Sequence, residues 1–397
     1  MPVIRIIVLS LLLWTIALEH LSAQQLFDSG SDGSYGPINV TTGTVTLTTP
    51  EDGIFRATTV NVAAGATLGF TRNAHNTPVY VLATGDIAIA GTVRVNGGNG
   101  GTLVGGAGGP GGFDGGGPGL GRPRPSAGYG PGAGLGGASN SPFCNSLDTP
   151  GAAAYSTVSS HASSNDGKTY GSPLLVPLVG GSGGGGAPWG GGGGGGGAII
   201  LASNTKVHIT GTVQALGALG SPTPSGFRCN NGSGGGIRII APVVSGPGTV
   251  NVTGGSSHEI AGSGRVRIDF IDASQATLTI SPNNGVLSTG AFLAVFPPTV
   301  PRLDIVSVAG QAIPVDIGGL VQVLLPIDVP SRQTVVVQAS HFSGIVPIEV
   351  VLTPDTGDPL VYPASIDTSL GNPAQVAVPV DIPGNVTVRV AAWTRFQ

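Results

Sequence analysis

The chain has 397 residues, of which 70 are glycine and 32 are proline, and only 9% are charged. Its 16 basic and 20 acidic residues give a net charge of −4 and are scattered along the sequence. The chain therefore lacks the basic stripe that nucleic-acid binding requires and the polybasic patch that binds anionic lipids. Disordered chains are poor in apolar residues. Because 40% of this chain is hydrophobic, we predict that most of it folds.

The first 23 residues have the pattern of a secretory signal peptide. Arg5 supplies the positive charge, residues 6–18 are apolar, and the segment ends at the small residue Ala23. The apolar run is shorter than the roughly 20 residues of a membrane span. We predict cleavage after Ala23, a secreted or cell-surface location, and no transmembrane segment once the signal peptide is removed.

A strand-turn-strand unit recurs in the next part of the chain. An apolar strand that ends at alanine is followed by a short turn and a Gly-Thr-Val core, in residues 79–96, 198–215 and 237–255. Threonine and valine favour strands over helices. Imperfect repeats of short strands are typical of solenoids, in which neighbouring coils bury each other's apolar faces. We therefore predict an all-β fold, with a right-handed parallel β-helix over residues 24–296.

A glycine-rich stretch at about residues 97–197 interrupts these repeats. It contains Gly-Gly-X triplets and ends in an unbroken glycine run, Gly190–Gly197. A period of three matches neither a helix nor a strand, but it does match the extended polyproline-II conformation. We predict a long polyglycine-II-like insertion at one corner of the solenoid. A disordered glycine linker is the alternative.

The composition changes after residue 296. A proline-rich linker at 297–301 is followed by residues 302–397, in which glycine is scarcer and about seven strand-like runs are separated by turn residues. This pattern predicts a C-terminal β-sandwich of the immunoglobulin-like or fibronectin-III-like type.

Few residues have the spacing of a chemical site. Cys144 and Cys229 are the only cysteines, and in an exported chain they predict a disulfide. Asp28 and Asp32 suggest a calcium loop, but the twelfth position is Asn39 rather than the glutamate of an EF-hand, so a plain turn is the alternative. We predict no other metal site, no cofactor and no catalytic residues.

Aromatic residues within the glycine-rich insertion give the main binding hypothesis. Tyr129, Tyr155, Tyr170 and Trp189 alternate with glycine, serine and other small residues. Large rings on such loops present rigid contact surface at low entropic cost, and rings beside polar residues suit stacking on sugars. They predict a polysaccharide or cell-surface glycan as partner. The alternative is that the rings hold the glycine segments together.

The start of the predicted solenoid at Phe27-Asp28, the Gly-Thr-Val units and the Gly-Gly-X triplets together resemble a known class of protein. They are similar to glycine-rich exported bacterial surface proteins with a parallel β-helix, and to the polyglycine-II adhesin tips of phage tail fibres. This resemblance implies a structural or adhesive role without catalytic residues. Two alternatives remain: a polysaccharide-active β-helix enzyme, either a lyase or a hydrolase, and a passive structural spacer.

Overall fold

A computed structural model describes most of the chain after the predicted signal peptide. The described residues are 27–119, 124–139, 148–160, 163–222, 226, 228–284, 286–315, 321–326, 328–369 and 371–394. The predicted signal peptide and Cys144 lie outside these ranges. No helix among the described residues is long and apolar enough to cross a membrane.

The described residues form 22 β-strands and no helix, so the prediction of an all-β chain is confirmed. The first fifteen strands are β1 Gly36–Val40, β2 Thr44–Thr48, β3 Ile54–Val62, β4 Thr67–Thr71, β5 Val79–Ala83, β6 Ile87–Ile89, β7 Thr92–Arg94, β8 Ala198–Ser203, β9 Lys206–Ile209, β10 Thr212–Gln214, β11 Gly236–Ser245, β12 Thr249–Asn251, β13 Arg265–Asp272, β14 Thr279–Ser281 and β15 Leu287–Gly290. The remaining seven are β16 Arg302–Val308, β17 Gln311–Ala312, β18 Arg332–Ser340, β19 Ile345–Pro354, β20 Leu360–Asp367, β21 Ala374–Asp381 and β22 Val388–Trp393.

The larger parallel sheet closes on itself, and the predicted β-helix solenoid is therefore wrong. Strand β3 pairs with β5 through its first half and with β6 through its second half. Strand β11 likewise pairs with β8 and then with β9. Since β5 pairs with β8 and β6 pairs with β9, the strands β3-β5-β8-β11-β9-β6 form a closed six-stranded parallel barrel. Strands β1, β13 and β15 extend this sheet beyond the ring.

The closure depends on two long strands, and one of them passes through a position where the sequence predicts a turn. The repeat pattern places a break between Ala241 and Val243, but β11 continues through Pro242 to Ser245. Strand β3 similarly continues through Thr58 and Thr59. A long strand can hold two different neighbours along its length, whereas two short strands separated by a turn cannot. The strand lengths, rather than the repeats, therefore decide the topology.

A second parallel sheet packs against the barrel through a shared core. Its six strands follow the order β14-β12-β10-β7-β4-β2. One cluster of buried side chains includes Phe55, Val81 and Leu201 from the barrel together with Leu68 and Val213 from the second sheet. Alternate residues of the second sheet point inward to this core, so the residues between them form its outer face.

The glycine-rich insertion is ordered by backbone hydrogen bonds with a three-residue period. The N–H groups of Gly191, Gly194 and Gly197 donate to the segment 95–101, and the N–H groups between them donate to 113–116 and 230–233 in turn. The carbonyl groups of the same run accept from residues in 106–109, 181–184 and 218–221. Six chain segments thus surround the run, and they approach it so closely that a side chain at most of its positions would collide with backbone atoms.

The C-terminal strands form two antiparallel sheets, in the orders β17-β16-β18-β21 and β20-β19-β22. Buried residues from both sheets share one hydrophobic cluster. In an immunoglobulin-type sandwich the last two strands pair with each other beside the third strand. Here β22 pairs only with β19 among the described residues, and β17 is a two-residue arm folded onto β16. The predicted immunoglobulin-like or fibronectin-III-like sandwich is therefore also wrong, because alternation indicates strands but not their partners.

Candidate functional site

The outer face of the second parallel sheet, β14-β12-β10-β7-β4-β2, carries a column of threonines. The parallel register aligns one threonine from every strand, and the column consists of Thr44, Thr67, Thr92, Thr212, Thr249 and Thr279. Each is exposed or half-buried, and none of their hydroxyl groups bonds to another described residue. We call these six residues the threonine column. The Gly-Thr-Val repeat in the sequence is its signal, although repetition alone assigned no site to it.

A second outward column lies two residues further along the same strands. It consists of Thr46, Gly69, Arg94, Gln214, Asn251 and Ser281. Arg94 is its only charged member and is exposed. A Cβ atom built at Gly69 would lie 3.8 Å from Nε of Arg94, so the Arg94 side chain extends over the neighbouring strand. The two columns together form a polar and nearly uncharged surface.

An open groove of about 420 Å³ begins where this surface ends. Its floor and walls include Asn96, Asn99, Leu216, Leu219, Asn251 and Thr253, and we call it the amide groove. The asparagine oxygens are occupied by the protein itself. Oδ1 of Asn96 and Oδ1 of Asn99 accept the backbone N–H groups of Leu216 and Leu219, at 2.9 and 3.1 Å. Oδ1 of Asn251 accepts from the backbone N–H and the hydroxyl group of Thr253.

The amide nitrogens of the groove are less constrained than its oxygens. Nδ2 of Asn96 donates to Oε1 of Gln214 at 3.2 Å. Nδ2 of Asn99 and Nδ2 of Asn251 make no hydrogen bond to any described residue, and the two side chains are exposed and half-buried, respectively. Because the oxygens fix both amides, their N–H groups are left as oriented donors. The groove can therefore offer hydrogen bonds to a hydroxyl-rich ligand.

The four aromatic residues predicted to bind a ligand lie in three different environments. Tyr155 and Tyr170 are buried, stack on each other with ring centroids 4.4 Å apart, and donate their hydroxyl hydrogens to the carbonyls of Val179 and Gly180. Burial raises the pKa of both hydroxyl groups. These two rings therefore contribute to the interior and present no open face.

The other two predicted aromatic residues are half-buried. The guanidinium group of Arg389 lies 3.8 Å from the ring centroid of Tyr129, so one face of that ring is covered. Nε1 of Trp189 donates to the carbonyl of Ser221 at 3.3 Å. Ser221 follows the groove residue Leu219 by two positions. Of the four predicted residues, Trp189 is thus the one tied to the segment that lines the amide groove.

The calcium and disulfide predictions concern residues that the structure covers only in part. Oδ1 of Asp28 and Oδ1 of Asp32 accept the backbone N–H groups of Gly30 and Ser34, as in tight turns. No group of three His, Cys, Asp or Glu side chains in the described ranges is placed to hold a metal ion. Cys229 is buried, but Cys144 is outside the described residues. The predicted disulfide between Cys144 and Cys229 therefore lies outside the described residues.

Two clusters of charged side chains lie in the interior rather than in the groove. Ser159 Oγ lies 2.7 Å from Oδ2 of Asp166 and 2.8 Å from Oε1 of Glu259. Glu259 is 3% exposed, and burial, followed by the charge of Asp166, raises the pKa of Glu259 to about 8. The second cluster joins Asp269 to both Arg238 and Arg267.

Both clusters lie apart from the amide groove. The side chains of Arg238 and Asp269 are 0% exposed, and none of the residues in the two clusters lines the amide groove. The single hydroxyl proton of Ser159 can be donated to only one of the two carboxyl groups, so the other contact requires a protonated carboxyl group that donates to the Ser159 oxygen. Sequence spacing gave no signal for either cluster, since Ser159 and Glu259 are 100 residues apart.

The chain matches no family model, no curated protein and no solved structure. The resemblance to glycine-rich bacterial surface proteins and phage adhesin tips therefore stays a prediction.

Proposed function

We propose that this chain is an exported, non-enzymatic protein with a structural or adhesive role that contacts glycans through the amide groove. The observation that carries this proposal is the arrangement of Asn99 and Asn251. Their oxygens are held by backbone N–H groups, and their nitrogens remain as oriented donors at the protein surface. Export rests on the signal-peptide pattern of the first 23 residues.

The chemistry of the groove favours a neutral, hydroxyl-rich partner. Binding sites commonly combine apolar lining with a few placed polar groups, and the groove pairs Leu216 and Leu219 with its asparagines. Sugar hydroxyl groups can accept from the amides, and the apolar faces of sugar rings can pack on the leucines. Trp189, which bonds to the same chain segment at Ser221, offers a ring near that lining.

A binding experiment with matched variants tests the proposal. The purified protein is incubated with a panel of insoluble neutral polysaccharides, and the bound fraction is measured after sedimentation. Asn99→Asp and Asn251→Asp keep the oxygen that accepts from the backbone but remove the amide donors. We expect the double variant to lose roughly tenfold or more in affinity, since each lost hydrogen bond costs about 0.5–1.5 kcal/mol.

The control is Asn61→Asp, on an exposed position of the barrel strand β3. It introduces a similar charge away from the groove, and we expect it to bind like the unmodified protein. If the unmodified protein binds none of the polysaccharides, the passive spacer is the better account. If it instead releases soluble sugar from them, the chain is an enzyme and the non-enzymatic proposal fails.

A further inference from the structure

We propose that the threonine column is the binding track for a single extended chain of a neutral, linear polysaccharide, which crosses the strands and places one sugar against each. This inference rests on the proposed function and specifies its partner. It goes beyond the amide groove, because it assigns a role to the face of the sheet that leads to the groove.

The first argument is the regular spacing of the hydroxyl groups. Residues in register on neighbouring strands repeat at about 4.8 Å, so six strands span about 24 Å. An extended β-linked polysaccharide advances by a similar distance with each sugar. A chain that lies perpendicular to the strands therefore meets a threonine hydroxyl and a threonine methyl group at each step.

The second argument is that the hydroxyl groups of the column have no partners in the described protein. Threonine hydroxyl groups on an exposed sheet often bond to neighbouring side chains or carbonyls. Thr71, an exposed residue of the same sheet, does so here, since its Oγ1 donates to the carbonyl of Leu47 at 3.5 Å. No such bond is present for Thr92 or Thr212, in the middle of the column. Each hydroxyl group can therefore both donate to and accept from a ligand.

The third argument is the charge of the surface. Of the twelve residues in the two outward columns, Arg94 alone is charged. A polyanionic chain would need repeated cationic partners along its length, and the column does not supply them. Gln214 and Asn251 supply neutral hydrogen-bonding groups beside Thr212 and Thr249. A neutral polymer is therefore the partner whose charge this surface matches.

The inference is tested with soluble β-1,4-linked gluco-oligosaccharides of two to six sugars, titrated into the full-length protein by calorimetry. We expect affinity to rise with each added sugar. The double variant Thr92→Val, Thr212→Val should bind the six-sugar oligomer roughly tenfold more weakly, because valine keeps the shape and removes the hydroxyl group. Its thermal unfolding midpoint should be unchanged, since valine also favours strands.

The control variant is Thr59→Val, on an exposed position of the barrel strand β3, and it should bind normally. Affinity that does not depend on oligomer length, or that is unaffected by the double threonine variant, overturns this inference. The proposed function still stands in that case if the protein is retained on insoluble polysaccharide and Asn99→Asp, Asn251→Asp abolishes the retention. If the protein binds no oligosaccharide but lowers the freezing point of a solution below its melting point, the inference is also overturned. The threonine column would then bind ordered water rather than sugar.

Discussion

Glu259 is placed where a charged carboxylate is unfavourable, and the geometry around it accounts for its raised pKa. Asp166 already accepts the backbone N–H groups of Ala152 and Ser163, each at 2.9 Å, which stabilise its charged form. The hydroxyl group of Ser159 can therefore donate a hydrogen bond to Asp166 and accept one from the protonated, neutral carboxyl group of Glu259. When Glu259 donates to Ser159 and Ser159 donates to Asp166, all three side chains are hydrogen-bonded and only Asp166 carries a negative charge.

The stability of the protein should consequently depend on the protonation of Glu259. Its pKa rises from 4.5 to about 8 on folding, so the folded state holds a proton that the unfolded state has lost between these values. The contribution is fully present below pH 4.5 and is lost as the pH rises through about 8. The free energy of unfolding should fall by at most about 1.4 kcal/mol for each pH unit in this window.

Glu259→Gln tests this dependence, because glutamine stays neutral and can still donate to Ser159. We expect the variant to lose less stability than the unmodified protein between pH 5 and pH 8, as measured by urea unfolding. Asp272→Asn is a suitable control, since Asp272 is exposed and its pKa is lowered by its hydrogen bonds to Ser274. Parallel pH profiles for Glu259→Gln and the unmodified protein would contradict the assignment.

Asp269 has a different role, since it joins two guanidinium groups in the interior. Its side chain is 0% exposed and bonds to Arg238 and Arg267, and Oδ1 also accepts the backbone N–H of Phe292. Removing one member of a buried ion cluster leaves the others without compensation. We expect Asp269→Asn to lower the free energy of unfolding by about 3–5 kcal/mol.

The exposed pair Arg56–Asp52 provides the comparison, because its side chains are 37% and 48% exposed. Asp52→Asn keeps the oxygen that accepts from Ile54 and should cost about 1 kcal/mol or less. Chemical denaturation of both variants measures the difference. Equal losses of unfolding free energy in the two variants would mean that the buried cluster stabilises the fold no more than the exposed pair does.

At the scale of elements, the glycine segments illustrate how stability can come from backbone alone. Glycine loses more conformational entropy on folding than any other residue, and these segments recover that cost through hydrogen bonds between neighbouring chains. A Cβ atom at Gly194 would lie 2.1 Å from the carbonyl oxygen of Ala107, which cannot move aside without breaking its own contacts. The carbonyl of Ala107 accepts the backbone N–H of Gly98.

Gly194→Ala should therefore be strongly destabilising. We expect a loss of about 3 kcal/mol or more in the free energy of unfolding, at the upper end of the cost of overpacking. Gly101→Ala, in the same insertion, places its Cβ 3.7 Å from the nearest atoms, those of Val104, and should change stability by about 1 kcal/mol or less. Urea unfolding of the two variants measures the contrast, and similar stability for both would show that the packing is looser than described.

The strands and their repeats could be predicted from the sequence, but the way that they close could not. The apolar runs that end at alanine locate β5 and β8, and the three-residue glycine period anticipates the three-residue period of the hydrogen bonds. Closure depends on β11 continuing through Pro242, and a proline ordinarily indicates a break. Local patterns describe which residues extend, whereas the number of partners along a strand depends on the rest of the molecule.

The functional residues show the same limit. Tyr155 and Tyr170 have the sequence surroundings of exposed loop residues, yet their rings stack in the interior because chain segments from across the fold cover them. The amide groove joins Asn99 to Asn251, which are brought together only by the pairing of β7, β10 and β12. The threonine column could be predicted from the sequence, since the Gly-Thr-Val repeat indicates it. Its proposed function could not, because that depends on strand register and on exposure.

At the scale of the whole molecule, side chains connect the C-terminal sheets to the glycine-rich insertion. Arg389 of β22 lies over the ring of Tyr129, and Nη1 of Arg389 lies 3.8 Å from Oδ2 of Asp114. Nε of Arg124 lies 3.0 Å from Oδ1 of Asp358. These contacts hold residues of the predicted C-terminal domain against the glycine-rich insertion.

A double-mutant cycle between Arg389→Gln and Tyr129→Leu measures whether this contact contributes to stability. A cation over an aromatic ring is worth about 0.5–2 kcal/mol, so we expect the two variants to be non-additive by about that amount in urea unfolding. A matched cycle with Arg302→Gln, whose partner Asp304 lies in the same strand β16, should be additive with Tyr129→Leu. Additivity in both cycles would show that the contact between Arg389 and Tyr129 does not couple the C-terminal sheets to the insertion.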